Sequence, residues 1–482
     1  MGLLGIVLAL ALLIFLAYKG WSILLLAPAA ALVAAAAAGE PLLAHWTQTF
    51  MGSAAQFVAQ FFPLFLLGAL FGKLMDDSGS VTAIARYMGE RLGPQRAVLA
   101  VVLAGALVTY GGVSLFVAFF VLAPMAHALF RAANIPRRLM PAAIVLGTST
   151  FTMSALPGTP AIQNAIPMPF FGTTPFAAPG LGIIASIIML GFGLWWLGRV
   201  QARAQSSGEG YGSEPVAAVA ADDQFIRERA TAAREFDPVE IPHGHHSDSA
   251  PPILIAVLPL ITVVGLNLLM AIVILPRLDF SFLAEARWGS TSLSAVAGVW
   301  AVAVALAVAT AILVAVNFRR LTALRASMDA GANASVLPVL SVASLVGFGA
   351  VIAALPAFAM VRDTVLSIGG GPLVSLAAAT NVLAALTGSA SGGLTIALDA
   401  LGATYMAIAA EHGIDPALLH RVAVIGAGTL DSLPHNGAVV TLLAVCGSTH
   451  GESYRDIVIV GILGALIALA AVIALGSALG SF

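Results

Sequence analysis

Two stretches interrupt apolar sequence in the same way: Thr152-Met153-Ser154-Ala155-Leu156-Pro157-Gly158-Thr159-Pro160-Ala161 and Thr429-Leu430-Asp431-Ser432-Leu433-Pro434-His435-Asn436-Gly437-Ala438, 277 positions apart (152 to 429). Hydrophobic residues make up 60% of the chain and charged residues 9%, with a mean hydropathy of +1.00, which places the flanking segments in a lipid bilayer rather than a soluble core. Lipid offers the backbone no hydrogen-bonding partner. Hydroxyls, amides and a proline inside a membrane segment persist where they line a protected cavity, so the pattern points to passage of a small solute.

A formal charge of −2 carries no nucleic-acid signature, and the single Cys446 rules out an intramolecular disulfide and a CxxC metal site. Cys446 reads as a small buried apolar residue. The run Gly2 to Leu16 has no basic residue before it and a second apolar segment, Trp21 to Ala38, after it. It reads as a retained span, not a signal peptide.

Residues 199–251 include the most polar stretch and cannot bury enough apolar surface to fold alone. They are expected to be a cytoplasmic linker between a first membrane repeat, residues 1–198, and a second, inverted one, residues 252–482. The cluster His243, Gly244, His245 and His246 has no other ligand near it in sequence and reads as a solvated loop. The 277-residue offset also carries Phe71-Gly72 onto Phe348-Gly349, Gly111 onto Gly388 and Ser114 onto Ser391, and it aligns apolar segments, which marks an internal duplication.

Each half reads as three spans, two arms around a glycine-rich tip, an interrupted span and a last span. The arm Ala97 to Thr109 falls short of the roughly 20 residues a crossing helix needs, so the arms read as re-entrant. An odd number of crossings per half then inverts the repeats. The expected fold is an all-α polytopic membrane protein with two inverted-topology repeats, each with a re-entrant helical hairpin and a discontinuous helix. Ser80 to Leu92 reads as an amphipathic helix on the cytoplasmic surface.

Loop cations set the orientation. Lys19, Lys73, Arg86, Arg91, Arg96, Arg131, Arg137, Arg138, Arg199 and Arg203 fall on one face, putting the N-terminus outside and the linker inside. In the second half Arg319, Arg320, Arg325 and Arg455 fall inside, against Arg277, Arg287, Arg362 and Arg421 outside.

Four polar breaks result: the two interruptions and the tips Thr109-Tyr110-Gly111-Gly112-Val113-Ser114 and Thr387-Gly388-Ser389-Ala390-Ser391-Gly392-Gly393. Tyr110 to Pro157 and Thr387 to Pro434 are both 47 residues, as tips meeting breaks require. Broken helices present N-terminal amides to an anion, and glycines admit close backbone approach. No Lys or Arg lies within a predicted span, so neutral donors suit a hydroxylated organic acid. The expected substrate-binding residues are Tyr110, Gly111, Gly112, Ser114, Ser154, Gly158, Thr159, Gly388, Ser389, Ser391, Ser432, His435 and Asn436. An intramembrane carboxylate is costly, which makes Asp431 a candidate for the coupling proton, with His435 and Asp399 as others. Alternatively, Asp431 caps a half-helix and His435 satisfies a carbonyl. Asn381 is placed to bond across to the facing arm.

No GxSxG surrounds Ser432, no HExxH occurs, and Gly68 to Lys73 is one residue short of a phosphate-binding loop. The chain therefore reads as a transporter rather than an enzyme, with no cofactor and no metal.

At these residues the chain resembles the gluconate:proton symporter (GntP) family within the ion transporter superfamily. The matching runs are Thr387 to Gly393, Leu419-His420-Arg421-Val422 and Asp431 to Ala438. The resemblance implies proton symport of gluconate or a short hydroxy acid such as 3-hydroxybutyrate into the cytoplasm across a bacterial inner (plasma) membrane. It also implies a homodimeric scaffold with an elevator-like transport domain. The tips lack the asparagine that binds sodium in the superfamily's dicarboxylate carriers, which leaves sodium-coupled carboxylate symport as an alternative. An anion channel and a membrane-embedded enzyme are further alternatives. The expected partners are thus a small organic acid, a proton and the lipid bilayer, without nucleic acid.

Overall fold

The computed structural model describes residues 2–19, 21–212, 236–434 and 436–482, so His435 lies outside the described residues. Every regular element among them is helical. The apolar runs are rich in Ala and Leu, the strongest intrinsic helix formers, and several stop at a glycine that can turn left-handed, such as Gly39 and Gly413.

The first half runs through α1 (Gly2–Tyr18), α2 (Ile23–Ala38), α3 (Leu42–Asp77), α4 (Ser80–Leu92), α5 (Ala97–Tyr110) and α6 (Leu115–Ala132). Short helices follow, α7 (Met140–Thr148), α8 (Phe151–Ser154), α9 (Ile162–Ala165) and α10 (Pro167–Phe171), and then α11 (Pro179–Ser206). The second half repeats this order in α12 (Ile253–Arg277), α13 (Leu293–Asn317), α14 (Leu324–Ala354), α15 (Phe358–Leu366), α16 (Pro372–Thr387) and α17 (Ala390–His412). It ends with α18 (Pro416–Thr429), α19 (Gly437–Val445) and α20 (His450–Leu479). Among the described residues, eight helices are long and apolar enough to cross a bilayer: α3, α6, α11, α12, α13, α14, α17 and α20.

The halves are not separate bodies. α3 packs along α14, α2 against α14, α13 against α3, and α11 against α20. One continuous apolar core joins residues of both halves, and Cys446 is fully buried in it.

Each tip joins a short outgoing helix to a longer returning one: α5 has 14 residues and α6 has 18, while α16 has 16 and α17 has 23. The returning arms are long enough to cross; the outgoing arms are not. α4 is helical, and the chain bends by 103° between it and the segment Pro94–Tyr110. Glycine allows the second hairpin to close. A Cβ on Gly393 would overlap the backbone of Ala384 on the facing arm, so only a hydrogen fits there.

Regular structure and packing extend into both ends of residues 199–251. α11 continues to Ser206, past residue 198, because Gln201, Ala202, Arg203, Ala204 and Gln205 are good helix formers, the Gln and Arg although polar. Residues 236–251 pack onto the helix ends. Lys73 Nζ donates to Ile241 O (2.8 Å), the Ser247 amide to Asp77 O (2.8 Å) and the Asp237 amide to Ala334 O (2.8 Å). His246 thereby comes within 3.8 Å of Asp76, and Asp76, Asp77 and His246 each offer a ligand atom within 4.8 Å of the others. Sequence separation hid that proximity.

Candidate functional site

A broken membrane helix frees carbonyls and amides that lipid cannot satisfy, so each needs a named partner. At the first break, side chains from several elements serve five of the freed carbonyls. Arg421 of α18 donates to Ala155 O (3.1 Å) and Ser154 O (3.4 Å). Tyr110 Oη donates to Pro157 O (2.8 Å), Asn267 of α12 to Gly158 O (3.0 Å) and Asn164 to Thr159 O (3.0 Å). Gly158 has φ +79° and sits against the Phe176 ring, a position that only glycine fills without strain.

Arg421 corrects the sequence reading, which placed it in an outer loop and found no cation within a span. It is fully buried, and its guanidinium also donates to Ala177 O from Nε (3.1 Å) and Nη2 (2.6 Å). A planar fork of donors suits several converging carbonyls, which is why the interior tolerates it. Its neighbour His420 is equally buried. Asn164 spends its amide N–H groups on Thr159 O and Pro175 O, so Asn164 Oδ1 accepts from His420 Nε2 (3.1 Å), and His420 Nδ1 accepts from the Thr173 hydroxyl (2.6 Å).

The second break is organised around a carboxylate. Asp431, buried at 1% exposure, accepts at Oδ1 from the Ala390 amide (2.9 Å), the first residue of α17, and from Asn436 Nδ2 (2.7 Å). Asn436 Nδ2 also donates to Gly388 O (2.9 Å), and its Oδ1 caps α19 at the Ala438 amide (2.8 Å). Ser389 caps α17 through Gly392 and lies 3.2 Å from Ser391 Oγ. Tyr454 donates to Ser432 O (3.2 Å) and His450 to Pro434 O (2.7 Å).

The structure thus gathers Asp431, Asn436, Gly388, Ser389 and Ser391 into one cluster, with Ser432 on the same break. Tyr110, Gly158, Thr159 and Ser154 belong to the first break. The breaks meet where Ser154 packs against Gly428 of α18. Asp399 is not part of either cluster. It is exposed on α17, ten residues and about 15 Å along the helix from Ser389. Asn381 does not reach the facing arm; its amide donates to Ala377 O of its own helix (2.8 Å).

Between the first tip and the first break lies a cavity of about 60 Å³, room for roughly four waters, lined by Gly112, Ser114, Thr109, Thr152 and Gln163, among others. Gly111 is beside it in the tip, packed on Leu260. Gln163 was missed by the sequence reading. It is 1% exposed, and neither polar atom of its amide has a hydrogen-bond partner among the described residues.

The sequence comparisons complete the assignment. A curated relative, the uncharacterized transporter YxjC of Bacillus subtilis, is 40% identical over 464 residues, covering 95% of each chain. The family model for GntP family permeases matches residues 1–195. The chain belongs to the GntP permease family. Two solved structures share the permease's fold at low identity. The Alcanivorax borkumensis YdaH transporter matches with a TM-score of 0.57 at 17% identity, over 91% of the permease and 89% of its own chain. The Neisseria gonorrhoeae efflux pump MtrF matches with a TM-score of 0.54 at 15% identity, over 90% and 85%. This GntP permease is a multi-pass membrane transporter.

Proposed function

We propose that the protein is a secondary active symporter that carries a small hydroxylated monocarboxylate, gluconate or 3-hydroxybutyrate, into the bacterial cytoplasm together with a proton. In this reading the two halves are inverted repeats with re-entrant hairpins, residues 199–251 are cytoplasmic, the N-terminus is outside, and a dimeric scaffold supports an elevator motion. The observation that carries it is the Asp431 carboxylate, which ties the second tip, through Ala390, to the second break, through Asn436.

Both bonds end on Asp431 Oδ1, where an ionised carboxylate is a strong acceptor; a proton on the other oxygen leaves Oδ1 a weaker, neutral one. Protonation of Asp431 would loosen the tip from the break, which gives the proton a mechanical consequence. Purified protein in liposomes should accumulate one of the two acids under an inward proton gradient, with pH and sodium varied separately. Asp431→Asn should abolish gradient-driven accumulation while leaving substrate exchange measurable. Full proton coupling in that variant would remove Asp431 from the mechanism, and accumulation that follows sodium alone would replace the proton. Saturable counterflow separates a carrier from a channel.

A further inference from the structure

The two hairpin tips present their helix N-termini differently. At α17 the first-turn amides are taken inside the protein: Ala390 N–H by Asp431 and Gly392 N–H by the Ser389 side chain. At α6 the N-cap is Ser114, whose side chain makes no capping bond, and the residue 277 positions before Asp431 is the neutral Ser154, bonded to Thr150 O. The helix dipole of 18-residue α6 is therefore offered to the cavity with no anion among the described residues bonded to its N-terminus.

The second, independent observation is Gln163. Both its amide ends are buried in the cavity wall with no partner among the described residues, while the residue 277 positions later, Val440, is apolar. Buried amides without a protein partner are completed by water or by a ligand. The cavity's threonine hydroxyls have already spent their protons. Thr109 donates to Gly105 O, Thr148 to Ile144 O, and Thr152 to Gly147 O and Thr148 O. What remains on them is lone pairs, which accept.

We infer that the α6 N-terminus, Ser114 and Gln163 form the substrate subsite, in which the ligand's carboxylate takes the place that Asp431 takes at α17 and Gln163 reads the hydroxyl beside it. The inference rests on the symport reading and narrows its substrate to a short hydroxy-monocarboxylate. Donors converge for a carboxylate: α6 amides and the Ser114 hydroxyl. Acceptors converge for a hydroxyl: Gln163 Oε1 and the threonine oxygens. Room for roughly four waters fits a short hydroxy acid better than a six-carbon sugar acid.

The test is uptake by proteoliposomes of two pairs of acids that differ in hydroxylation, 3-hydroxybutyrate with butyrate and gluconate with hexanoate. The wild type should favour 3-hydroxybutyrate over butyrate by about 10-fold or more in kcat/KM, since a site built to bond a hydroxyl rejects the analogue lacking it. Gln163→Leu should shrink that preference to within about 3-fold by raising the KM for the hydroxy acid, with butyrate uptake reporting a folded carrier. Gln163→Glu, nearly the same shape, should raise KM for both acids through charge repulsion. Wild-type preference and KM retained in both variants would overturn the inference and leave the symport reading standing. A wild type that accumulates none of the four acids would overturn both.

Discussion

Tyr110 and Pro157 are joined by a 2.8 Å hydrogen bond from the phenol to the carbonyl, across 47 residues of chain. The tip of one hairpin is thereby pinned to the helix break it faces, and the Pro157 carbonyl, left without a helical partner by the break, receives its donor from the tip itself. The second half reaches the same end by other means, with Asn436 of the break donating to Gly388 of the tip.

Tyr110→Phe removes one hydroxyl and leaves Pro157 O without that donor. The expected cost is about 1–3 kcal/mol, the penalty for orphaning a buried polar group. Thermal unfolding in detergent should show a midpoint lower by several degrees, with a slower uptake rate. An unchanged midpoint would mean that water replaces the phenol.

Arg421 serves Ser154 O, Ala155 O and Ala177 O at once. Arg421→Met should therefore cost on the order of 3 kcal/mol or more, and Arg421→Lys should recover only part of it, because an ammonium cannot fork towards three carbonyls. The yield of monodisperse protein and the unfolding midpoint rank the three proteins. Equal stability of the Lys variant would contradict the fork.

Gly393 and Gly369 form a matched pair for substitution by alanine. At Gly393 the added methyl meets the Ala384 and Leu383 backbone, whereas nothing lies within 4 Å at Gly369. Gly393→Ala should destabilise by about 1–3 kcal/mol and slow transport, with Gly369→Ala indistinguishable from wild type. Comparable loss in both would show that glycine content in general, not hairpin closure, is what matters.

Glu209, beyond the end of α11, receives two bonds from Arg138 (2.7 and 3.0 Å), and this pairing holds its carboxyl below the usual value of 4.5. A folded-state value below the unfolded one stabilises above pH 4.5 and is lost as pH falls through the folded value. The pair is partly exposed, so Glu209→Gln should cost less than about 1 kcal/mol at neutral pH. The difference from wild type should vanish well below pH 4.5 in unfolding scans.

The breaks themselves were legible because proline, glycine and hydroxyls stand out in an apolar sequence. The helix order followed from repeated apolar segments, and Asp431 stood out as an acid in a membrane segment. Arg421 was misplaced because its position near the start of α18 looks like a loop, and only tertiary packing shows that the carbonyls of another break surround it. Gln163 and Asn164 carried a signal that was passed over, two adjacent amides just beyond the quoted motif. Their roles nonetheless diverge, Asn164 closing a network and Gln163 left open, and no sequence pattern separates those fates. Asn267 likewise gave no hint that it would serve Gly158, 109 residues before it.

Because α17 starts against a carboxylate from its own chain and α6 does not, halves of like helix order are not spare parts for each other. A chimera carrying residues 152–163 in place of 429–440 would own two sockets and no plug. Divergence at a single register position, serine in one half and aspartate in the other, gives matching scaffolds unlike surroundings at their tips.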